Sequence, residues 1–190
     1  HFEMFRTCFM FAFKNNDLEE SKRSWHLLMG LIELYKRELC ELSVGFNNES
    51  LSFFNKKYQI FHDAELSKIE QGDIDDLLQK PIRVCGMVKN EGAPGGGPFW
   101  MKSKDKLIKQ IVEKSQIRES DSNGILLNSS THFNPVFIAV SKDNALGERC
   151  NLLKYRDDDQ VLRVEKDHKG KQITYHELPG LWNGGMSDWN

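Results

Sequence analysis

Four cysteines in 190 residues, Cys8, Cys40, Cys85 and Cys150, stand far apart, and none belongs to a C-x-x-C pair. Zinc-ligand spacing is therefore missing, and so few thiols in a chain this long do not build an extracellular disulfide framework. A reducing cytoplasm is the expected location. His26, His62, His132, His168 and His176 show neither H-E-x-x-H spacing nor a neighbouring cysteine, so no metal site and no cofactor are expected within the chain. Charge of one sign is scarce as well: 26 basic against 28 acidic residues leave a formal charge of −2, with no surplus to draw nucleic acid or an anionic membrane. Long hydrophobic runs are absent. The most apolar stretch, HFEMFRTCFMFAF at the start, is too short to span a bilayer, carries Glu3 and Arg6, and lacks the small-residue cleavage site of a secretory signal. There is no G-x-S-x-G elbow, and no glycine run is followed by the Lys-Ser or Lys-Thr of a P-loop.

What remains is 39% hydrophobic and 28% charged, enough apolar material for one ordinary domain or a substantial piece of a larger one. The opening at His1, aromatic-rich and without a start signal, is read as that of a fragment. Its N-terminal partner surface is expected to lie outside the chain, leaving Phe9, Phe11 and Phe13 without native cover. From Ser21 to Leu42, Leu27, Leu28, Leu31, Leu34, Tyr35, Leu39 and Leu42 recur at steps of three and four, which predicts a long amphipathic helix. Asp17, Glu19 and Glu20 before it and Lys36 and Arg37 late in it suit the helix dipole. Asn47 or Asn48 is a candidate cap for a helix from Glu49 to about Ile60. Asp63 could cap a third from Ala64 to Leu78, ended by Lys80-Pro81.

Past Pro81 the period changes. Ile82 to Val88, Lys109 to Glu113, Val136 to Val140, Val161 to Glu165 and Gln172 to Glu177 have strand character, and DHKGK from Asp167 to Lys171 reads as a hairpin turn with Gly170 at positive φ. The expectation is an α/β chain of the α+β kind, with a helical segment over residues 1–80 followed by a mixed sheet over residues 81–190.

Four clusters could carry chemistry. EGAPGGGPFW, Glu91 to Trp100, cannot be helix or regular strand through Gly95, Gly96 and Gly97; it is either a tight structural loop or a bare-backbone cradle for an anion or a sugar. In QIVEKSQI, Glu113 ends a strand, where it is either a solvated strand end or an acceptor for paired sugar hydroxyls. In SSTHFNP, Thr131, His132 and Asn134 offer short donors and acceptors, with a hydrogen-bonded structural role as the alternative for His132. The closing ELPGLWNGGMSDWN, with Trp182, Asn183 and Asp188, is either a ligand-facing loop or an aromatic plug.

Taken together, RVCGMVKNEGAPGGGPFW, QIVEKSQI, STHFNPV and HELPGLWNGGMSDWN resemble the C-terminal half of an uncharacterised bacterial family, a domain of unknown function. The resemblance covers about Pro81 to Asn190, with the helical part fitting only loosely. That family is in turn similar to the UDP-sugar pyrophosphorylases, α/β nucleotidyltransferases that join a sugar 1-phosphate to a nucleoside triphosphate and release pyrophosphate. Their pattern runs from a strand reading roughly V-G-V-V through V-V-E-Y-S-E-I to F-N-x-G-N-I-x-N-H. Val84 to Val88, Ile111 to Ile117 and Leu127 to Pro135 stand at the corresponding places.

The resemblance implies part of a nucleotidyltransferase-like fold. Glu113 falls on a carboxylate that contacts sugar hydroxyls, Thr131 stands where those enzymes have a sugar-binding asparagine, and Asn134 matches the asparagine that follows. Gln116 replaces the second glutamate and Lys114 the tyrosine, while Gly95 to Gly97 have no counterpart. The implied ligand is a sugar phosphate or a nucleotide sugar. The nucleotide loop, and any Mg²⁺ the transfer draws on, would belong to a full-length parent with an N-terminal nucleotide-binding region, so the isolated chain is expected to be inactive. The competing expectation is a non-catalytic binding or interaction module on the same scaffold.

Overall fold

A computed structural model describes residues 18–91, 96–103, 106–112, 130–134, 138–155 and 162–177. Helix α1 (Leu18–Val44) runs beyond both predicted ends. Its apolar stripe divides in two. Leu28, Ile32, Tyr35, Leu39 and Leu42 are buried, whereas Leu27 and Leu31 keep 38% and 40% of their surface exposed and face an open cavity. Asn47 caps α2 (Asn48–Tyr58): its Oδ1 accepts from the backbone N–H of Glu49 and of Ser50, each at 2.9 Å, which satisfies two of the orphan donors of the first turn.

The third predicted helix is two elements. A 3₁₀ turn (Asp63–Lys68) is capped by His62, whose Nδ1 accepts from Ala64 N–H, and not by Asp63. Helix α3 (Gln71–Gln79) then starts afresh, because Asp73 Oδ2 accepts the N–H of the extended Glu70 at 3.0 Å and draws it out of a continuing helix. Lys80, extended at ψ 150° before Pro81, ends α3 at the predicted place.

The strands are β1 (Ile82–Cys85), β2 (Val88–Lys89), β3 (Gly97–Ser103), β4 (Lys106–Val112), β5 (His132–Phe133), β6 (Ile138–Ser141), β7 (Leu162–His168) and β8 (Lys171–Glu177). They form antiparallel pairs, β1 with β6, β2 with β5, β3 with β4 and β7 with β8, so among the described residues the expected mixed sheet is replaced by small antiparallel ladders. The predicted strand Ile82 to Val88 is interrupted at residues 86–87. Cys85 pairs with Ile138 and Val88 with Phe133, and Asn134 Nδ2 donates to Gly86 O in the break between β1 and β2.

The glycine run also departs from expectation, since Gly97 and Pro98 begin β3, opposite Val112 and Ile111. A proline is tolerated there because a two-stranded antiparallel ladder leaves alternate N–H groups without a partner strand. The β7–β8 turn agrees with its prediction: Lys169 and Gly170 both have positive φ, 55° and 78°, as a two-residue type I′ turn requires. Gly170 N–H donates to Asp167 Oδ1 at 2.9 Å.

The core lies where α1, α2 and α3 meet β1, β2 and β6, with Leu39, Leu51, Ile74, Ile82, Val88 and Ala139 at its centre. Two ties hold the β3–β4 hairpin to the helical layer. Leu107 N–H donates to the Glu65 carboxylate of the 3₁₀ turn, and Lys106 Nζ pairs with Asp73 Oδ1 of α3 at 2.7 Å.

Candidate functional site

The structure brings the end of the glycine run against the S-T-H-F-N segment. Asn134 N–H donates to Gly96 O at 2.8 Å, closing an antiparallel bridge between the two. Gly97 lies so close to Ser130 that a Cβ at position 97 would stand 2.4 Å from Ser130 Oγ, which itself donates to His132 O at 2.7 Å. Glycine is needed here for close approach. Thr131 is exposed, and its Oγ1 lies 2.9 Å from His132 Nδ1, while Asn90 N–H donates to its carbonyl. His132 is half-buried in β5 opposite Lys89.

Asn134 is 4% exposed, and its Nδ2 donates to Gly86 O at 2.7 Å, so its amide braces the break between β1 and β2. Gly95, Glu113, Trp182, Asn183 and Asp188 lie outside the described residues.

A cavity of about 1160 Å³ opens between α1, the end of α2, β1 and the β3–β4 hairpin. Two of the sequence clusters contribute to its wall, the exit of the glycine run through Phe99 and Trp100 and β4 through Gln110 and Ile111, and β1 adds Arg83 and Cys85. Leu27, Leu31 and Leu34 of α1 form the opposite side. Thr131, His132 and Asn134 are not among its described lining residues.

The cavity carries cations on an apolar wall. Lys57, Lys80, Arg83 and Lys109 line it, and no aspartate or glutamate stands among its described lining residues. Lys57 pairs with Glu38 outside the cavity. Arg83 donates from one guanidinium nitrogen to Gln110 Oε1 at 3.1 Å, tying β1 to β4, and among the described residues no carboxylate pairs with it. Burial holds its guanidinium below the ordinary value. Lys109, also lowered by burial, sets its ammonium 5.1 Å from the centre of the Trp100 ring, whose edge meets His62. Burial pushes the Cys85 thiol up, with Arg83 opposing it, which keeps this sulfur a poor nucleophile.

Neither Arg83 nor Lys109 was singled out as a site residue in the sequence. The available signal was Arg83 itself, a charged residue between Ile82 and Val84 in an apolar strand. Cys40, Cys85 and Cys150 are free thiols. Among the described residues no group of three or more His, Cys, Asp or Glu could hold a metal ion, and no helix is long and apolar enough to cross a membrane.

No curated protein and no solved structure matches the chain. The family model that does match is that of a domain of unknown function, DUF4301, over residues 22–190, so the match reaches back through the helical part and not only over the sheet-rich part. The chain belongs to the DUF4301 family.

Proposed function

We propose that this chain is the sugar-side part of a nucleotidyltransferase-like protein, acting on a sugar 1-phosphate or a nucleotide sugar. The observation that carries the reading is the apposition of Gly96 and Gly97 to Ser130 and Asn134, because it sets the bare backbone of the glycine run against the S-T-H-F-N segment, which resembles a sugar-facing motif of UDP-sugar pyrophosphorylases. In that reading Thr131, exposed beside His132, offers its hydroxyl to a sugar, and Glu113 takes paired hydroxyls at the end of the β4 segment. In that reading a nucleotide loop and Mg²⁺ would complete the positioning and charge stabilisation that the transfer needs.

The test is a titration of the parent protein, and of its Thr131→Ala and Glu113→Ala variants, with a panel of sugar 1-phosphates and nucleotide sugars. Saturable binding that weakens by about tenfold in each variant is expected, the scale of one lost hydrogen bond to a ligand. No affinity for any member of the panel sinks the reading. The isolated chain, given nucleoside triphosphate, Mg²⁺ and the same sugar phosphates, is expected to release no pyrophosphate.

One observation favours a second reading, a non-catalytic binding module. Asn134 matches the asparagine that follows the sugar-binding one in the pyrophosphorylase motif, yet here its amide braces Gly86. In such a module Glu113→Ala in the parent protein changes neither ligand binding nor turnover.

A further inference from the structure

We propose that the cavity between α1, β1 and the β3–β4 hairpin binds a small organic phosphate with an apolar body, its phosphate held by Arg83 and Lys109 and its body packed between Trp100 and the α1 leucines. Arg83 carries the argument. A guanidinium set in an apolar wall loses hydration, and a carboxylate partner is the usual compensation. Among the described residues Arg83 has none; the Gln110 amide oxygen takes one N–H and orients the fork, whose further donors suit two phosphate oxygens.

The remaining wall selects the rest of the ligand. Leu27 and Leu31 are apolar surface that water covers at a cost, and Trp100, 37% exposed, presents a flat face already flanked by the Lys109 ammonium. A hydrated inorganic ion would leave that surface wet, and a neutral hydrophobe would leave Arg83 without a counter-charge. An organic phosphate satisfies both. With no acidic side chain in the described lining, nothing there repels a dianion. The inference stands apart from the sugar reading, because Thr131 and His132 do not line this cavity.

Calorimetric titration of the full chain with phenyl phosphate, inorganic phosphate and phenol tests it. Phenyl phosphate is expected to bind about tenfold or more tighter than either of the others. Arg83→Met should weaken it by about tenfold or more, and Lys109→Met by about threefold to tenfold, the scale of charge-assisted contacts. Thr131→Ala should leave it unchanged, which keeps the outcome separate from that of the sugar titration.

A merely structural arginine gives a different signature. Since Arg83 is desolvated without a carboxylate, relief of that cost offsets the lost Gln110 bond, so Arg83→Met should change the melting temperature of the ligand-free protein little, while abolishing the rise that phenyl phosphate produces in the unmutated chain. Should circular dichroism show that Arg83→Met does not fold, Arg83→Lys is read instead. It keeps the charge and loses the fork, for an expected loss of about threefold to tenfold. Equal affinity for phenol, equal affinity for inorganic phosphate, or unchanged binding in a folded Arg83 variant overturns the proposal.

Discussion

Asn134 Nδ2 donates to the carbonyl oxygen of Gly86 at 2.7 Å in the break that separates β1 from β2, while the backbone N–H of the same asparagine donates to Gly96 O. One buried residue thus joins the interrupted strand, the exit of the glycine run and the S-T-H-F-N segment. Replacing the amide leaves the Gly86 carbonyl without this donor inside the protein. Asn134→Ala is expected to cost about 1–3 kcal/mol, read as a lower urea midpoint at constant m. Asn134→Asp should cost at least as much at neutral pH, since a carboxylate then faces a carbonyl, and should recover in acid as the carboxyl regains a proton to donate.

Gly97 and Ser130 make the second joint. An added Cβ meets Ser130 Oγ at 2.4 Å and Phe99 Cε2 at 2.9 Å. Gly97→Ala should therefore destabilise by about 1–3 kcal/mol through overpacking. Combining it with Ser130→Ala removes the nearest atom, so the double variant should be more stable than the sum of the single effects. Strict additivity in that cycle would show that the two residues do not touch.

Glu38 on α1 accepts from Tyr58 OH at 2.8 Å and pairs with Lys57, both at the end of α2. Burial works against its charge, but the bonds from Lys57 and Tyr58 outweigh it and hold the carboxyl below the usual range. The sign follows from that depression: the unfolded carboxyl, at about 4.3, binds protons first as pH falls. The pair's contribution is complete above that value and disappears as pH drops through the lower folded one. Because Lys57 is well exposed, solvent screening keeps the contribution near about 0.5–1 kcal/mol. Glu38→Gln should show that deficit at pH 7 in denaturant unfolding, and the deficit should shrink toward pH 3.

Gly30 sits within α1, and a Cβ there meets nothing within 4 Å. Gly30→Ala should raise stability by about 0.5–1 kcal/mol, by lowering the entropy of the unfolded chain and improving helix propensity. A lower urea midpoint for this variant would contradict the open space beside the helix.

Elements governed by neighbours in sequence were legible. The repeat from Leu27 to Leu42 located α1, Asn47 caps α2 as one of the two candidates Asn47 and Asn48, Lys80-Pro81 ended α3, and Gly170 marked the β7–β8 turn. In each case the responsible interaction spans only a few residues. Failures began where a distant partner entered. The 3₁₀ turn bends toward β4, where Leu107 N–H meets Glu65, and the run from Ile82 to Val88 breaks where Asn134 reaches Gly86. Gly97 and Pro98 read as loop yet pair with β4, since the ladder supplies hydrogen bonds that a glycine-proline pair does not announce.

The candidate sites divide along the same line. Thr131, His132 and the glycines could be named from their types and spacing, which suit hydrogen bonding and close backbone approach. Their apposition through Gly96 and Asn134 could not, because those residues are far apart along the chain. Sequence by itself determined the long helix α1, the start of α2 at Asn47 or Asn48, the polar balance near neutrality and the hairpin turn with Gly170 at positive φ, for these follow from local sterics, hydrogen bonding and composition. Tertiary structure alone decided that Arg83 lines one apolar cavity together with Lys109 and Trp100. A side chain's partners and hydration depend on which elements pack around it, and three of those elements, α1, β3 and β4, come from distant parts of the chain.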